Sequence, residues 1–139
     1  MTGAPLDGVR VLDFSTLLPG PLATLYLAQA GAEVIKIERS GSGDPVRSYP
    51  PFRDGKSILF ELLNSGKQSV VLDLKDPAPR SRLLELVRSA DVLVEQFRPG
   101  VMARLQLDFD SLRAVHPELI YCSISGYGQH GARNQVVGH

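Results

Sequence analysis

Three arginines stand where this chain can grip an anion. Arg39 directly follows the alternating run Glu33 to Glu38, while Arg98 and Arg104 flank the break at Pro99-Gly100. A guanidinium forks onto phosphate oxygens with two parallel hydrogen bonds, so arginines converging on one rim predict a phosphorylated ligand. Singly, each is equally consistent with a solvated surface side chain. His139 follows Gly138 in a glycine-rich tail; imidazole titrates near neutrality and can serve as a general base, with an exposed histidine as the plainer alternative. The run Gly126-Tyr127-Gly128-Gln129-His130-Gly131 satisfies the dinucleotide pattern G-x-G-x-x-G. Its context does not: it trails the fifth predicted strand, and no amphipathic helix follows to receive a pyrophosphate. A glycine-lined loop that lets backbone approach a ligand, or a flexible turn, fits better than nicotinamide or flavin binding. Gly66-Lys67-Gln68-Ser69 imitates the end of a phosphate loop, yet Glu61 occupies the first glycine position, so Lys67 is expected to be a solvated turn lysine. Cys122 falls in a predicted strand and is expected in the core. Histidines at 116, 130 and 139 are too scattered to suggest a metal site, and none is expected.

The elements that must position these residues follow from periodicity. Arg10–Phe14 predicts a strand, Leu22–Ala30 a helix after the Leu17–Pro21 turn, and Glu33–Glu38 a second strand in which apolar and charged residues alternate. This is a β-α-β opening with the spacing of a parallel crossover. Residues Arg39–Lys56 form a long Gly-, Ser- and Pro-rich loop of the kind that carries function. Ile58–Leu63 is apolar and of undecided type. Ser69–Leu74 predicts a third strand, Pro79–Ala90 an amphipathic helix with a Leu83, Leu84, Leu86, Val87 stripe, and Asp91–Glu95 a fourth strand. Val101–Leu105 suggests a helical turn, Asp108 or Asp110 can cap a helix ending near His116, and Ile120–Ser125 predicts a fifth strand. Alternating strands and helices give the α/β class: a Rossmann-like, mostly parallel sheet with helices on both faces, in one domain spanning residues 1–139.

The chain has 139 residues, 43% hydrophobic and 22% charged, with 15 basic and 15 acidic side chains. That balance argues against a nucleic-acid partner while leaving room for local basic clusters among Arg39, Arg47, Arg53, Lys56, Lys67, Lys75, Arg98 and Arg104. A single cysteine excludes an internal disulfide. The opening MTGAPLDGVRVLDF lacks a signal-peptide pattern, and no 18-residue apolar run suggests a membrane span, so a cytoplasmic location is expected. A chain that stops inside a glycine-rich loop is expected to be a segment of a longer enzyme.

Several collinear blocks together resemble the family III CoA-transferases and their relatives, the α-methylacyl-CoA racemases. They are Gly8–Ser15 with Leu18–Pro21, Gly31–Arg39, Gly43-Asp44, Asn64–Ser69, Val71–Lys75, Ala90–Glu95, Phe97–Gly100 and Ile120–Gln129. The resemblance implies an amino-terminal domain that binds CoA or acyl-CoA as substrate with no resident cofactor. It also implies an interlocked homodimer in the full-length enzyme. Carried over by motif, Arg39 and the stretch Val71, Leu72, Asp73, Leu74 and Lys75 meet the nucleotide end of CoA. Gln96, Phe97, Arg98 and Arg104 line the same channel, while Gly126, Tyr127, Gly128 and Gln129 sit by the pantetheine or acyl end. In the transferases an aspartate nucleophile in a downstream Gly-Asp motif forms an anhydride and then exchanges acyl groups with CoA; Asp44 belongs to an earlier loop and is not that residue. Gly138-His139 resembles the start of the racemases' Gly-His-Asp motif, in which His139 moves the α-proton, and Val101–Leu107 is also racemase-like, whereas Arg47–Leu63 is closer to the transferases. The reading therefore leans to racemase-type chemistry, with CoA transfer through an aspartyl intermediate, or a non-catalytic CoA-binding segment, as alternatives.

Overall fold

The structure, a computed structural model, describes residues 3–74 and 80–136. In chain order its elements are β1 (Arg10–Asp13), α1 (Pro19–Gln29), β2 (Glu33–Glu38), a 3-10 turn (Pro45–Ser48), β3 (Phe52–Arg53), β4 (Lys56–Ser57) and α2 (Ile58–Leu63). They continue with β5 (Gln68–Val71), α3 (Arg80–Arg88), β6 (Val92–Glu95), α4 (Val101–Arg104), α5 (Phe109–Arg113) and β7 (Ile120–Ser123). Among the described residues, five strands form one sheet in the order β5-β2-β1-β6-β7, with every neighbouring pair parallel. Counted within that sheet the order is 3-2-1-4-5, the Rossmann arrangement expected from the sequence.

Alternation along the strands divides the core. Leu12, Ile35 and Leu93 lie side by side in register and pack with Leu83, Val87, Met102, Leu107 and Leu112 from α3 to α5 and their connections. Val11, Val34 and Val94 point to the opposite face, where Leu27 and Ala28 of α1 cover them. Central strands buried on both faces need this β-branched and leucine-rich content. Leu83 and Val87 are one helical turn apart in α3 and both buried, which makes that helix amphipathic as predicted. Arg80, at its start, donates to the Leu105 carbonyl at 2.9 Å and the Gln106 carbonyl at 3.1 Å, tying α3 to the end of α4.

The structure departs from the periodicity reading in several places. Helix α1 begins at Pro19 rather than Leu22, because proline at the first helical positions has the right φ and lacks only an N–H that needs no partner there. The Arg39–Lys56 loop holds the 3-10 turn and the β3-β4 hairpin, and Ile58–Leu63 resolves as a helix whose cap, Ser57 Oγ, accepts from the Phe60 amide at 3.3 Å. β5 and β7 end earlier than their apolar runs, at Val71 and Ser123. Cys122 is exposed rather than in the core, since β7 is the outer strand of the sheet. No described helix is long and apolar enough to cross a membrane.

Leu93 is fully buried at the middle of the larger core half. Leu93→Ala is expected to cost about 2–5 kcal/mol of stability, read from the urea midpoint; a loss below 0.5 kcal/mol, on the order of a surface substitution, would contradict this packing.

Candidate functional site

Open parallel sheets collect ligands at the carboxyl ends of their strands, where successive connections leave toward opposite faces. Here that point lies between β1, which leads to α1 on one face, and β6, which leads to α4 on the other. A cleft of about 610 Å³ opens there, walled by Phe14 and Thr16 after β1, Lys36–Arg39 of β2 and Gly43–Pro45. Asp73 and Leu74 beyond β5, together with Phe97, Val101, Arg104 and Leu105, complete it. Its wall is mostly apolar, with arginines at its edge.

Beneath and beside the cleft lies a network of buried charges. Lys67 Nζ donates to Asp13 Oδ2 (3.1 Å), Thr24 Oγ1 (2.8 Å), the Asn64 side-chain oxygen (3.0 Å) and the Pro21 carbonyl (2.9 Å). Burial pulls its pKa down against the opposing pull of Asp13. Asp13 also accepts from the Ser15 amide at 2.9 Å, the Ser15 hydroxyl and the Thr24 hydroxyl at 2.6 Å. Lys36 Nζ meets Asp44 Oδ2 at 2.9 Å and the Ser15 carbonyl at 2.8 Å. That oxygen of Asp44 has no well-aligned hydrogen bond, and its contact is the Lys36 ammonium; the other oxygen accepts from the Leu17 and Val46 amides at 3.1 and 3.0 Å. Glu38 receives Arg47 in a two-point fork, 2.8 and 2.6 Å, with Ser69 Oγ at 2.7 Å and the Asp44 amide at 2.9 Å. Burial pushes the Glu38 carboxyl up, but these bonds and the Arg47 charge outweigh it and hold the group at about 2. The Arg47 guanidinium also stacks on Phe60, 3.6 Å from the ring centre.

The turn between β1 and α1 is latched as tightly. Gln96 donates from Nε2 to the Thr16 carbonyl at 2.6 Å and accepts from the Gly20 amide at 2.9 Å. A Cβ on Gly20 would stand 2.1 Å from that of Ser15 and 2.6 Å from Gln96 Oε1, so only glycine fits.

Of the residues singled out from sequence, Arg39, Asp73, Leu74, Phe97 and Arg104 share the cleft. Arg39 is exposed, and its Nε donates to the Gly43 carbonyl at 3.0 Å. Arg98 is exposed but does not line the cleft; its carbonyl accepts from Val101 at 3.1 Å where α4 begins. Val71 and Leu72 border a separate groove at the β5 edge with Arg82, Glu85 and Leu86, and Gln96 serves the latch. Gly126, Tyr127, Gly128 and Gln129 form a loop beyond β7, outside the cleft lining. Lys75, Gly138 and His139 lie outside the described residues. Lys67 is the clearest correction: its side chain is 1% exposed, because a turn lysine that reaches a buried aspartate is drawn inside. Asp13, Thr24, Lys36 and Glu38 were not anticipated either, and Arg47, named from sequence only as part of a basic cluster, pairs instead with Glu38. The signal available for Asp13 and Glu38 was their position at the carboxyl ends of strands.

Lys67→Met is expected to lower stability by about 3–5 kcal/mol, since it leaves the Asp13 carboxylate buried without its cation. Adding Asp13→Asn should recover part of the loss; no recovery in a denaturation series would show that packing, not charge, accounts for the cost. Glu38 has its folded pKa, about 2, below the ordinary 4.5, so its contribution is complete above pH 4.5 and disappears as pH falls toward 2. With allowance for the half-exposed Arg47, about 1–2 kcal/mol should be lost over that window, and Glu38→Gln should flatten the pH profile there.

The sequence model described as CoA-transferase family III matches residues 6–139. Acetyl-CoA:oxalate CoA-transferase from Acetobacter aceti is 49% identical over 127 residues, which cover 91% of this chain and 33% of that enzyme. Succinyl-CoA:glutarate CoA-transferase from Mus musculus is 43% identical over 136 residues, 97% of this chain and 31% of the enzyme. Among solved structures, a CAIB/BAIF family protein from Brucella suis superposes with a TM-score of 0.92 at 36% identity, covering 99% of this chain and 38% of that one. Rv3272 from Mycobacterium tuberculosis superposes with a TM-score of 0.88 at 40% identity, covering 98% and 38%. The chain thus spans about a third of the length of the curated relatives it matches. With the sheet order, the collinear sequence blocks and the family match all in agreement, this chain belongs to CoA-transferase family III.

Proposed function

We propose that this chain holds the nucleotide end of a CoA thioester in the cleft at the β1-β6 switch point, within an enzyme that moves CoA between small carboxylic acids. The observation that carries the reading is the juxtaposition of Arg39 and Arg104 on a single cleft of about 610 Å³ whose wall is mostly apolar. Such a cavity lies in the range that takes a small ligand or part of a larger one. The adenine ring of CoA offers a flat face to Ile37 and Leu74 beside Arg39, and its phosphates offer oxygens to guanidinium forks. Arg39 is pre-oriented by its bond to the Gly43 carbonyl, which lessens the side-chain entropy lost on binding.

Transfer, rather than α-carbon proton exchange, is favoured because the two curated relatives above are an acetyl-CoA:oxalate and a succinyl-CoA:glutarate CoA-transferase. A racemase-type reading depends on Gly138-His139 as a proton-moving pair. The interlocked homodimer belongs to the same proposal and concerns the full-length protein.

Calorimetric titration with CoA should show binding, and Arg39→Ala or Arg104→Ala should each weaken it about 10- to 100-fold, the range for hydrogen bonds to charged groups. Absence of binding at millimolar CoA would overturn the reading. For the reaction, the full-length protein should move CoA from succinyl-CoA or acetyl-CoA to oxalate or glutarate. Exchange of the α-proton of 2-methylacyl-CoA with heavy water, abolished by His139→Ala and unaccompanied by transfer, would instead establish the racemase chemistry.

A further inference from the structure

We infer that Glu95, Ser123 and Gln129 form a directional hydrogen-bond relay that positions the Gly126–Gln129 loop against the Phe97 wall of the cleft. Glu95 and Ser123 are then positioning residues for the part of the ligand that lies beyond its phosphates, an assignment that rests on the CoA-binding reading above. Glu95 is the last residue of β6 and only 3% exposed. Among the described residues no Lys, Arg or His forms an ion pair with it. Its two oxygens instead serve two neutral donors: Oε2 accepts from the Phe97 backbone amide at 2.8 Å, and Oε1 accepts from the Ser123 hydroxyl. Ser123 stands directly opposite Glu95 in the β6-β7 register, and its Oγ accepts from Gln129 Nε2 at 2.6 Å. The chain of bonds continues at the Gln129 carbonyl, which accepts from Asn134 Nδ2 at 3.2 Å.

The polarity of this chain is fixed by chemistry. The Ser123 hydroxyl has a single proton, which it donates to Glu95, so its oxygen must face a donor on the loop. The amide end of Gln129 supplies that donor. Phe97, which lines the cleft, therefore hangs by its amide on one oxygen of Glu95, while Gln129 of the glycine loop is joined through Ser123 to the other. Burial of Glu95 makes an unsatisfied oxygen there expensive, which couples the Phe97 amide and Ser123 through its carboxyl. The loop follows β7, which neighbours β6 on the side away from β1 and β2; under the CoA-binding reading above, the part of the ligand beyond its phosphates runs toward this side.

The test compares Ser123→Ala, Ser123→Thr and Glu95→Gln, using amide hydrogen exchange and the dissociation constants of acetyl-CoA and adenosine 3′,5′-bisphosphate. Glu95→Gln keeps the side-chain size but places a second donor against Ser123, reversing the polarity the relay requires. Ser123→Ala and Glu95→Gln should speed exchange at residues 126–129 and weaken acetyl-CoA about 3- to 10-fold while leaving adenosine 3′,5′-bisphosphate unchanged. Ser123→Thr, which retains the hydroxyl, should restore both. Unaltered exchange at 126–129 in a folded Ser123→Ala protein, or equal weakening of the two ligands, would overturn the relay. If the wild-type protein bound neither ligand, the CoA reading would fall, and the exchange measurement alone would still decide whether the relay holds the loop.

Discussion

Two buried lysine-aspartate pairs fasten the strand ends and turns around the cleft. Lys36–Asp44 and Lys67–Asp13 are each exposed by no more than 1% at either side chain. Charges removed from water this completely survive only when paired and hydrogen-bonded, so each pair is a geometric constraint. Lys67 fastens the turn before β5 to the end of β1 and the first two turns of α1, through Asp13, Thr24 and the Pro21 carbonyl. Lys36 fastens β2 to the Ser15 carbonyl and to Asp44 in the loop that borders the cleft. Replacing the four by apolar residues would preserve burial but remove the directional contacts that specify where these turns end.

The frame of the fold was legible in the sequence because its strands are short apolar runs separated by turn residues and because α3 has a clear apolar stripe. Parallel pairing followed from the alternation of strand and helix. The charge network was not legible, and β2 shows why. In Ile35–Glu38 apolar and charged residues alternate, a pattern that ordinarily marks one solvated face. Here both faces are buried: Ile35 and Ile37 pack on the α3 side, while Val34, Lys36 and Glu38 face inward on the other. The charged face is internal because Asp44 and Arg47, eight and nine residues further along from the residues they pair with, fold back over it. Periodicity reads the strand alone and has no information about a loop that returns with opposite charges. The same limit explains Lys67, whose partner Asp13 lies 54 positions away, and Cys122, whose exposure depends on which strand is outermost.

The candidate site divides along a similar line. Arg39 was identifiable because it sits just past the end of β2, and Arg104 because it closes the short α4 that follows β6 at the same rim. Arg98 shares that neighbourhood in sequence but not in space: Gly100, with φ of 85°, turns the chain into α4 after it, and Arg104 one turn later is the side chain that reaches the cleft. Residues with helical spacing can differ in this way even when their distance from a strand end is similar. Glu95 was passed over as an ordinary end to an apolar strand, although a carboxylate there must find donors at the most crowded part of the sheet.

Asp44 ties these observations into one argument about strain. Leu17, in the turn after β1, has φ of 63°, a conformation that costs a non-glycine residue about 1–3 kcal/mol unless its surroundings over-determine it. The Leu17 amide donates to Asp44 Oδ1, which also takes the Val46 amide, while Oδ2 meets Lys36. Thus the carboxylate that neutralises a buried lysine also holds the turn in its unfavourable backbone conformation and starts the 3-10 turn beyond the cleft. Because Thr16, the residue before Leu17, lines the cleft, and its carbonyl is latched by Gln96, the strained turn is pinned from both sides of the switch point. A rigid rim is what two arginines require if they are to meet a ligand's phosphates without first ordering the backbone that carries them.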